Sequence, residues 1–401
     1  MGKILVFLLF CLLPCLLMAQ APVDTTNVVV DTTGQRDLID VIRPIFTFKP
    51  RKPNKKKEIY FSFLPISTDV PGASKALVTS TTAGFYLGNR DSTYLSTVTF
   101  APYFNLKGRF GLPIHSSVWV NNNNYNIQGD TRFLVYPQYT WGLGGGQPEN
   151  DRELVNYDYI RFYQSILKRI TPYFYAGIGY DLDYYFNINT GTSTPLNEFT
   201  GYKYGTTPGD NSFTSGLTLN LLYDTRQNLF NPIPGIYANV IYRQNTSIIG
   251  SDNNTQSVYI DLRKYISLTE SGPKNQFAFW TYYWTTIGPG TPYLALPSIG
   301  NDPYQRSGRG IEQNRYRGEA LLYFESEYRR DITSNGLLGF VIFANINSAT
   351  QPNSRSFAYL NPAAGTGLRI KFNKKSNTNI CMDYGFSRGY SDLTLGLGEA
   401  F

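Results

Sequence analysis

Hydrophobic and polar residues alternate with a period of two through most of the chain from Ile59 onward. The longest run has an apolar face made of Phe174, Ala176, Ile178, Tyr180, Leu182, Tyr184 and Phe186. Its other face is polar or small, with Tyr173, Tyr175, Gly177, Gly179, Asp181, Asp183 and Tyr185. Residues 213–223 and 379–386 repeat the pattern. Because side chains of a strand point alternately to its two faces, the pattern predicts strands with an apolar face toward lipid and a polar face toward a lumen.

Turn signals divide this part of the chain into about sixteen strands of about ten residues. The predicted strands begin near Ile59, Ala76, Ser96, Gly111, Asp130, Tyr157, Pro172, Phe213, Gly235, Val258, Gln276, Tyr316, Leu337, Gly365, Asn379 and Asp392. An even number lets an antiparallel barrel close, and lipid tolerates no unpaired edge. We therefore predict an all-β fold, an antiparallel transmembrane β-barrel of about 16 strands. The gap at residues 287–315 is long for a hairpin, and such loops are often functional.

The first part of the chain has a different pattern. Residues 1–20 are predicted to be a signal peptide, because Lys3 precedes an apolar run that ends at the small residues Ala19 and Ala21. A lipoprotein signal at Cys15 is an alternative, and the apolar run is short for a membrane span. Residues 21–58 are predicted to be a short polar and basic periplasmic segment, and residues 59–401 the barrel.

Residues 21–58 contain three further features, of which the first and the last have two readings each. Residues 25–31 are either a tether or a strand that adds to a periplasmic partner. Residues 35–43 could form a short amphipathic helix that ends at Pro44. The basic run between Lys49 and Lys57 could bind anionic headgroups or serve as a solvated spacer.

Composition agrees with a barrel. Aromatic residues make up 15% of the chain and charged residues 16%, whereas soluble domains carry about 25% charged residues. A secreted β-sandwich could share this composition, but its strands are rarely so long with Gly, Asn and Asp on one face. Beyond the predicted signal peptide Cys381 is the only cysteine, which excludes an intramolecular disulfide framework.

Candidate chemistry is sparse. His115 is the only histidine, and parity places it toward the lumen, so an enzyme reading would make it the base of a barrel-wall hydrolase. No Gly-x-Ser-x-Gly turn accompanies it, and one histidine with one cysteine argues against a transition-metal site. The glycine-rich residues 142–146 lack the lysine of a phosphate-binding loop and are expected to form a hairpin loop. We expect no enzymatic activity, no metal and no cofactor.

Four segments carry a more specific pattern. The first is Tyr223-Asp224-Thr225-Arg226, followed by Asn228, Pro232 and Gly235. The second is Gly308-Arg309-Gly310-Ile311, followed by Arg315-Tyr316-Arg317-Gly318 and Glu327-Tyr328-Arg329. The third is Gly365-Thr366-Gly367-Leu368-Arg369-Ile370. The fourth is Asp383-Tyr384-Gly385-Phe386 with the ending Gly398-Glu399-Ala400-Phe401. In this order they resemble the bacterial surface antigen superfamily of BamA and TamA, over residues 59–401.

The resemblance implies a sixteen-stranded barrel whose sixth extracellular loop folds into the lumen, where Arg309 binds acidic groups of the wall. Strand parity points Glu325 and Glu327 inward, so either could be the partner of Arg309. Asn345 stands where the family usually has an aspartate, and Ile311 replaces the family's aromatic residue. BamA-like proteins also carry periplasmic repeats before the barrel, for which residues 21–58 offer no room.

These features favour an integral protein of the bacterial outer membrane that assists outer-membrane protein assembly or translocation. The family mechanism implies a lateral seam between a first strand at residues 59–67 and a last strand at residues 392–401, which Gly396 and Gly398 weaken. Phe401 would also end the strand signal that barrel-assembly machinery reads. A passive pore or a structural subunit of a larger envelope complex is the alternative. Expected partners are outer-membrane lipid and client or partner envelope proteins, without nucleic acid or a small-molecule substrate.

Overall fold

The structure is a computed structural model. It describes residues 34–42, 59–69, 75–89, 92–104, 109–207, 209, 211–226, 231–232, 234–269, 274–374 and 377–401, and for residues 59–80 and 82 it describes the backbone alone. The predicted signal peptide at residues 1–20, residues 25–31, the basic run at residues 49–57 and Asn228 of the first motif lie outside the described residues.

Successive antiparallel strands form a single sheet. Its segments are β1 (Ile59–Asp69), β2 (Lys75–Phe85), β3 (Ser96–Phe100), β4 (Tyr103–Phe104), β5 (Phe110–Val120), β6 (Tyr125–Val135), β7 (Gln138–Thr140), β8 (Glu153–Thr171), β9 (Phe174–Thr190), β10 (Ser212–Asp224), β11 (Gly235–Asn245), β12 (Thr255–Ser267), β13 (Asn275–Ile287), β14 (Ala320–Asp331), β15 (Leu338–Ala349), β16 (Asn361–Asn373), β17 (Thr378–Ser387) and β18 (Tyr390–Leu397).

Two barrel strands are interrupted. β3 and β4 both pair with β2 and β5, and β6 and β7 both pair with β8. Pro102 and Pro137 lie in the two interruptions, and proline cannot donate to a ladder. The eighteen segments of the described residues therefore form sixteen barrel strands. Each predicted strand has an observed counterpart, and the prediction of an antiparallel all-β barrel is confirmed.

The two faces of the sheet differ as the alternation predicts. Ile178, Leu217 and Leu219 are each more than half exposed on the outside. Asp183, Thr218 and Asp383 are buried on the inside. A wall with an apolar outer face and a polar inner face is what a lipid-embedded barrel requires.

The sheet has a seam between β1 and β18. Cα atoms of these two strands approach within 8 Å, but no ladder joins them within the described residues, where β1 pairs with β2 and β18 with β17. The predicted last strand at residues 392–401 is wrong in its extent. β18 ends at Leu397, because Gly398 takes a left-handed φ of 81° that turns the chain out of the wall.

Helices are short. α1 (Leu38–Ile42) falls within the predicted helix at residues 35–43 and lies against one end of the barrel. There Lys374 donates from its Nζ to Asp40 Oδ2 at 2.7 Å and from its backbone N to Asp37 Oδ2 at 3.0 Å. α2 (Leu196–Thr200) lies in the connection between β9 and β10. No helix in the described part of the chain is long and apolar enough to cross a membrane.

Candidate functional site

The connection between β13 and β14, residues 288–319, folds into the barrel and is called the lumen loop below. Leu296, Ile299 and Asp302 of this loop have no measurable exposure. On one side of the barrel, Tyr136 Oη donates to Gln313 Oε1 at 2.8 Å and Arg132 Nη2 donates to the Pro303 carbonyl at 2.5 Å. On the other side the loop binds residues of β14, β15, β17 and β18, so it spans the lumen from wall to wall.

The lumen loop is held in shape by its own polar side chains. Asp302 Oδ1 accepts hydrogen bonds from the backbone N of Ser307 at 2.8 Å and of Arg306 at 3.1 Å. Asn314 Oδ1 accepts from Ser298 Oγ at 2.9 Å and from Arg317 Nη2 at 2.8 Å. These bonds satisfy polar groups that the lumen removes from bulk water, and they keep the lumen loop ordered.

Arg309, near the tip of the lumen loop, binds three carboxylates. Its Nε donates to Glu325 Oε1 at 3.0 Å and its Nη1 to Asp383 Oδ2 at 2.7 Å. Its Nη2 donates to both Glu325 and Glu327, and its Cζ lies 3.8 Å from the centroid of the Phe343 ring. Burial opposes the charge, but the carboxylates outweigh it and hold the pKa of Arg309 well above its ordinary value. The site is a fixed, charged clamp.

The partners of Arg309 differ from the predicted set in two ways. Both Glu325 and Glu327 bind the guanidinium, so the two alternatives are realised together. Asn345 does not contact the guanidinium, since its Nδ2 donates to the Arg309 carbonyl at 2.9 Å. The third carboxylate, Asp383 of β17, is missing from the prediction, although the parity of its strand already places it on the lumen face. The guanidinium therefore has three carboxylate partners although position 345 holds an asparagine.

Glycines allow the tip of the lumen loop to lie against the barrel wall. Gly310 has φ of 80°, and a Cβ there would lie 2.5 Å from the backbone N of Phe386. A Cβ on Gly385 would lie 2.5 Å from the backbone N of Gly310. Gly310 N also donates to Asp392 Oδ1 of β18 at 2.9 Å. The close backbone approach explains the glycines of the second and fourth motifs, and it connects the loop to the strand at the seam.

Residues 398–401, called the tail below, turn into the barrel after Gly398, whose backbone N still donates to the Asn379 carbonyl of β17 at 2.9 Å. Glu399 Oε2 accepts from Arg369 Nε at 2.8 Å and Glu399 Oε1 from Asn379 Nδ2 at 2.9 Å. The Phe401 ring lies 5.3 Å from that of Trp280, and its carbonyl accepts from Arg329 Nη2 at 3.0 Å. The position of the tail corrects the expectation that Gly398, Glu399, Ala400 and Phe401 form the end of a wall strand.

The Tyr223-Asp224-Thr225-Arg226 motif lies at the turn after β10, away from the clamp. Arg226 donates from Nε to Asp224 Oδ1 at 2.9 Å and from Nη2 to Asp224 Oδ2 at 2.8 Å. Thr225 Oγ1 accepts from Ile236 N at 2.8 Å. The motif therefore ties the end of β10 to the start of β11, while Tyr223 is half-buried at the end of its strand.

A second charged network lies on the wall formed by β6 to β11. Asp183 accepts from Arg243 Nη1 at 2.6 Å, from Tyr159 Oη at 2.5 Å and from Tyr163 Oη at 2.7 Å. A cavity of about 60 Å³ adjoins it. The inward direction of Asp183 follows from parity, but the sequence gives no signal for its pairing with Arg243, 60 residues away.

Other candidate residues have ordinary surroundings. His115 Nδ1 lies 3.4 Å from Asp130 Oδ1, and Asp130 also binds Arg132 and Arg161. Within the described residues no group of three or more His, Cys, Asp or Glu side chains could hold a metal ion. Residues 142–146 lie in the connection between β7 and β8, where Gly144 N donates to the Arg317 carbonyl at 2.7 Å.

Comparison with solved structures identifies the fold. The chain is similar to BamA from Haemophilus ducreyi lacking POTRA domains 1-3, with a TM-score of 0.54 and 12% identity over 86% of this chain and 70% of that chain. The barrel has the fold of BamA. It is also similar to CdiB from Acinetobacter baumannii, with a TM-score of 0.54 and 13% identity over 85% of this chain and 59% of that one. CdiB from Escherichia coli gives a TM-score of 0.55 and 11% identity over 86% of this chain and 62% of that one.

The expected barrel fold is thus confirmed, and identities of 11–13% show the fold alone. This chain spans less than two thirds of the length of the two CdiB chains. No protein-family model matches the sequence, and no curated protein matches it.

Proposed function

We propose that this chain is a non-enzymatic barrel of the bacterial outer membrane that helps other proteins fold into, or cross, that membrane at the seam between β1 and β18. The observation that carries the proposal is the seam itself. The two strands lie side by side, yet no ladder joins them within the described residues. An unpaired strand edge in lipid is costly and binds extended chain readily, so a client strand can add to it through backbone hydrogen bonds.

The lumen favours this route over conduction. A passive pore needs a water-filled passage, whereas the lumen loop spans the barrel and its tip is clamped by three carboxylates. The pore alternative therefore predicts steady conductance in planar bilayers, and the assembly proposal predicts a barrel that is closed at rest. The apolar outer face supports the outer membrane as the location, with lipid as the surrounding partner.

Depletion of the protein, followed by proteomics of the outer membrane, tests the proposal. Broad loss of barrel proteins supports an assembly role. Loss of a single partner protein would indicate a structural subunit of an envelope complex, and unchanged barrel levels together with conductance would indicate a pore. Either of these two outcomes would overturn the proposal.

The lateral route is tested by locking the seam. Pairs of cysteines in Ile59–Asp69 and Tyr390–Leu397 are placed in a background where Cys11, Cys15 and Cys381 are serine. They should restore barrel levels after depletion when reduced and fail to do so when oxidised. Met382→Cys with Leu395→Cys is the matched control, because these register partners lie in the ladder of β17 and β18, outside the seam. Full rescue by the oxidised seam pairs would exclude lateral opening.

A further inference from the structure

We infer that the tail, residues 398–401, is a latch that holds the end of β18 away from the seam, and that this latch is coupled to the Arg309 clamp of the lumen loop. The inference rests on the proposed function only in one respect, namely that an open seam would admit a client protein. The latch and its coupling are properties of the fold and can be measured without a client protein.

The tail leaves the wall where it would otherwise meet the first strand. Because neighbouring barrel strands are antiparallel and their number is even, β18 ends at the same side of the barrel where β1 begins. β1 has 11 residues and β18 has 8. If the tail remained in the wall, it would continue β18 beside the beginning of β1. Its inward turn at Gly398 therefore shortens the edge that can pair with β1.

The tail occupies a pocket built for its charge and its ring. Glu399 is nearly inaccessible, and besides Arg369 and Asn379 its carboxylate faces Lys274 Nζ at 3.8 Å. Phe401 lies between the rings of Trp280 and Tyr265, at 5.3 Å and 6.2 Å. A buried carboxylate with several donors and a buried ring resist return to the wall, since release leaves the donors unpaired.

Two arginines join this pocket to the clamp. Arg329 donates to Glu327, a partner of Arg309, at 2.5 Å and to the Phe401 carbonyl at 3.0 Å. Arg369 donates to Asp383, another partner of Arg309, at 2.5 Å and to Glu399 at 2.8 Å. Without Arg309, Glu327 and Asp383 would draw Arg329 and Arg369 away from the tail.

The lumen loop also contacts the tail directly. Arg306 Nη1 donates to the carbonyl of Glu399 and, at 3.4 Å, to the carbonyl of Ala400. Movement of the loop out of the lumen would remove these two bonds. Loss of the clamp should therefore loosen the tail by both routes.

Cys381 is a native probe for the tail. Its Sγ donates to the Gly398 carbonyl at 2.8 Å and the side chain is buried beneath the tail. Cys11 and Cys15 are the other cysteines of the sequence, and both are replaced by serine for the experiment. The rate at which a charged, water-soluble maleimide labels Cys381 in the folded barrel then reports how often the tail leaves its pocket.

Glu399→Gln keeps the shape of the side chain and removes its charge, and Phe401→Ala removes the ring. We expect each to increase the labelling rate roughly tenfold or more, as for loss of a buried charged hydrogen bond or a core ring. We expect Arg309→Ala to increase it as well, although Arg309 does not touch the tail. Arg315→Ala is the matched control, because Arg315 belongs to the same loop but binds the Gln147 carbonyl at 2.5 Å.

Unchanged labelling in both Glu399→Gln and Phe401→Ala would overturn the latch. Equal rates in the Arg309 and Arg315 variants would overturn the coupling. A folded band on unheated electrophoresis gels shows that a faster rate does not come from unfolding. If labelling behaves as expected while depletion leaves other barrels intact, the latch stands and the proposed function fails.

Discussion

Replacement of Arg309 by alanine is the most direct test of the clamp. The change removes one cation from among three buried carboxylates, and the three are not affected equally. Glu327 keeps Arg329, and Asp383 keeps Arg369. Glu325 loses its only ion-pair partner among the described residues and retains the hydroxyl of Tyr323. Most of the cost should therefore come from an uncompensated charge on Glu325.

Removal of one partner from a buried ion pair costs about 3–5 kcal/mol. We expect Arg309→Ala to lower the free energy of unfolding by this amount. A second change, Glu325→Gln, neutralises the orphaned carboxylate and leaves an amide that can still bond to Tyr323. It should restore roughly 2 kcal/mol, the cost of leaving a charged group without its partner. The double variant should therefore be more stable than the single one.

Urea titration in lipid vesicles, followed by tryptophan fluorescence, measures both variants. Arg315→Ala, in the same loop, is the control for loss of an arginine outside the clamp, and its midpoint should stay close to that of the unchanged protein. The reasoning fails if Arg309→Ala shifts the midpoint no more than this control. It also fails if the added Glu325→Gln change lowers stability further, since the damage would then not come from an unpaired charge.

Three further predictions concern other parts of the lumen. Asp183→Ala leaves Arg243 without its carboxylate and should lower the urea midpoint by the equivalent of about 3 kcal/mol; an unchanged midpoint would contradict this. Gly310→Ala places a Cβ 2.5 Å from Phe386 N, so limited trypsin digestion should cut the lumen loop faster than in the unchanged protein. His115→Ala should change the free energy of unfolding by less than about 1 kcal/mol. Hydrolysis assays should give the same result for this variant and the unchanged protein, and a hydrolytic activity lost in the variant would support an enzyme.

Strand positions could be predicted from the sequence because one physical rule governs them. In a lipid-embedded wall every second side chain faces lipid and every other one faces the lumen. The rule places Asp183 and Asp383 inward, and Ile178 and Leu217 outward, as observed. The predicted start is least accurate for β6, which begins at Tyr125 instead of near Asp130. The starts of β8, β14 and β16 each differ from the predicted ones by four residues.

The position of the tail could not be predicted in this way. Phe401 has the parity of Leu393, Leu395 and Leu397, so parity extends the strand to Phe401, although Glu399 falls on the same apolar face. The strand ends because the tail binds partners from distant parts of the chain inside the lumen instead of forming a few more ladder bonds in the wall. Lys274, Arg329 and Arg369 supply the donors, and Trp280 supplies the ring contact. None of these is adjacent to the tail in sequence, and Gly398 alone marks the place where it can turn.

The partners of Arg309 show why residue-by-residue transfer from a family has limits even where the fold is shared. The resemblance points to an aspartate at position 345 of β15, where this chain has asparagine. The charge is nevertheless supplied, because Asp383 of β17 reaches the same guanidinium from two strands away. A guanidinium at the centre of a narrow lumen can be reached from several wall strands, so the wall must provide a carboxylate but not at a fixed position. If this reasoning holds, Asp383→Asn combined with Asn345→Asp should retain more stability than Asp383→Asn alone, and failure of the second change to help would show that position 345 is out of reach of the guanidinium.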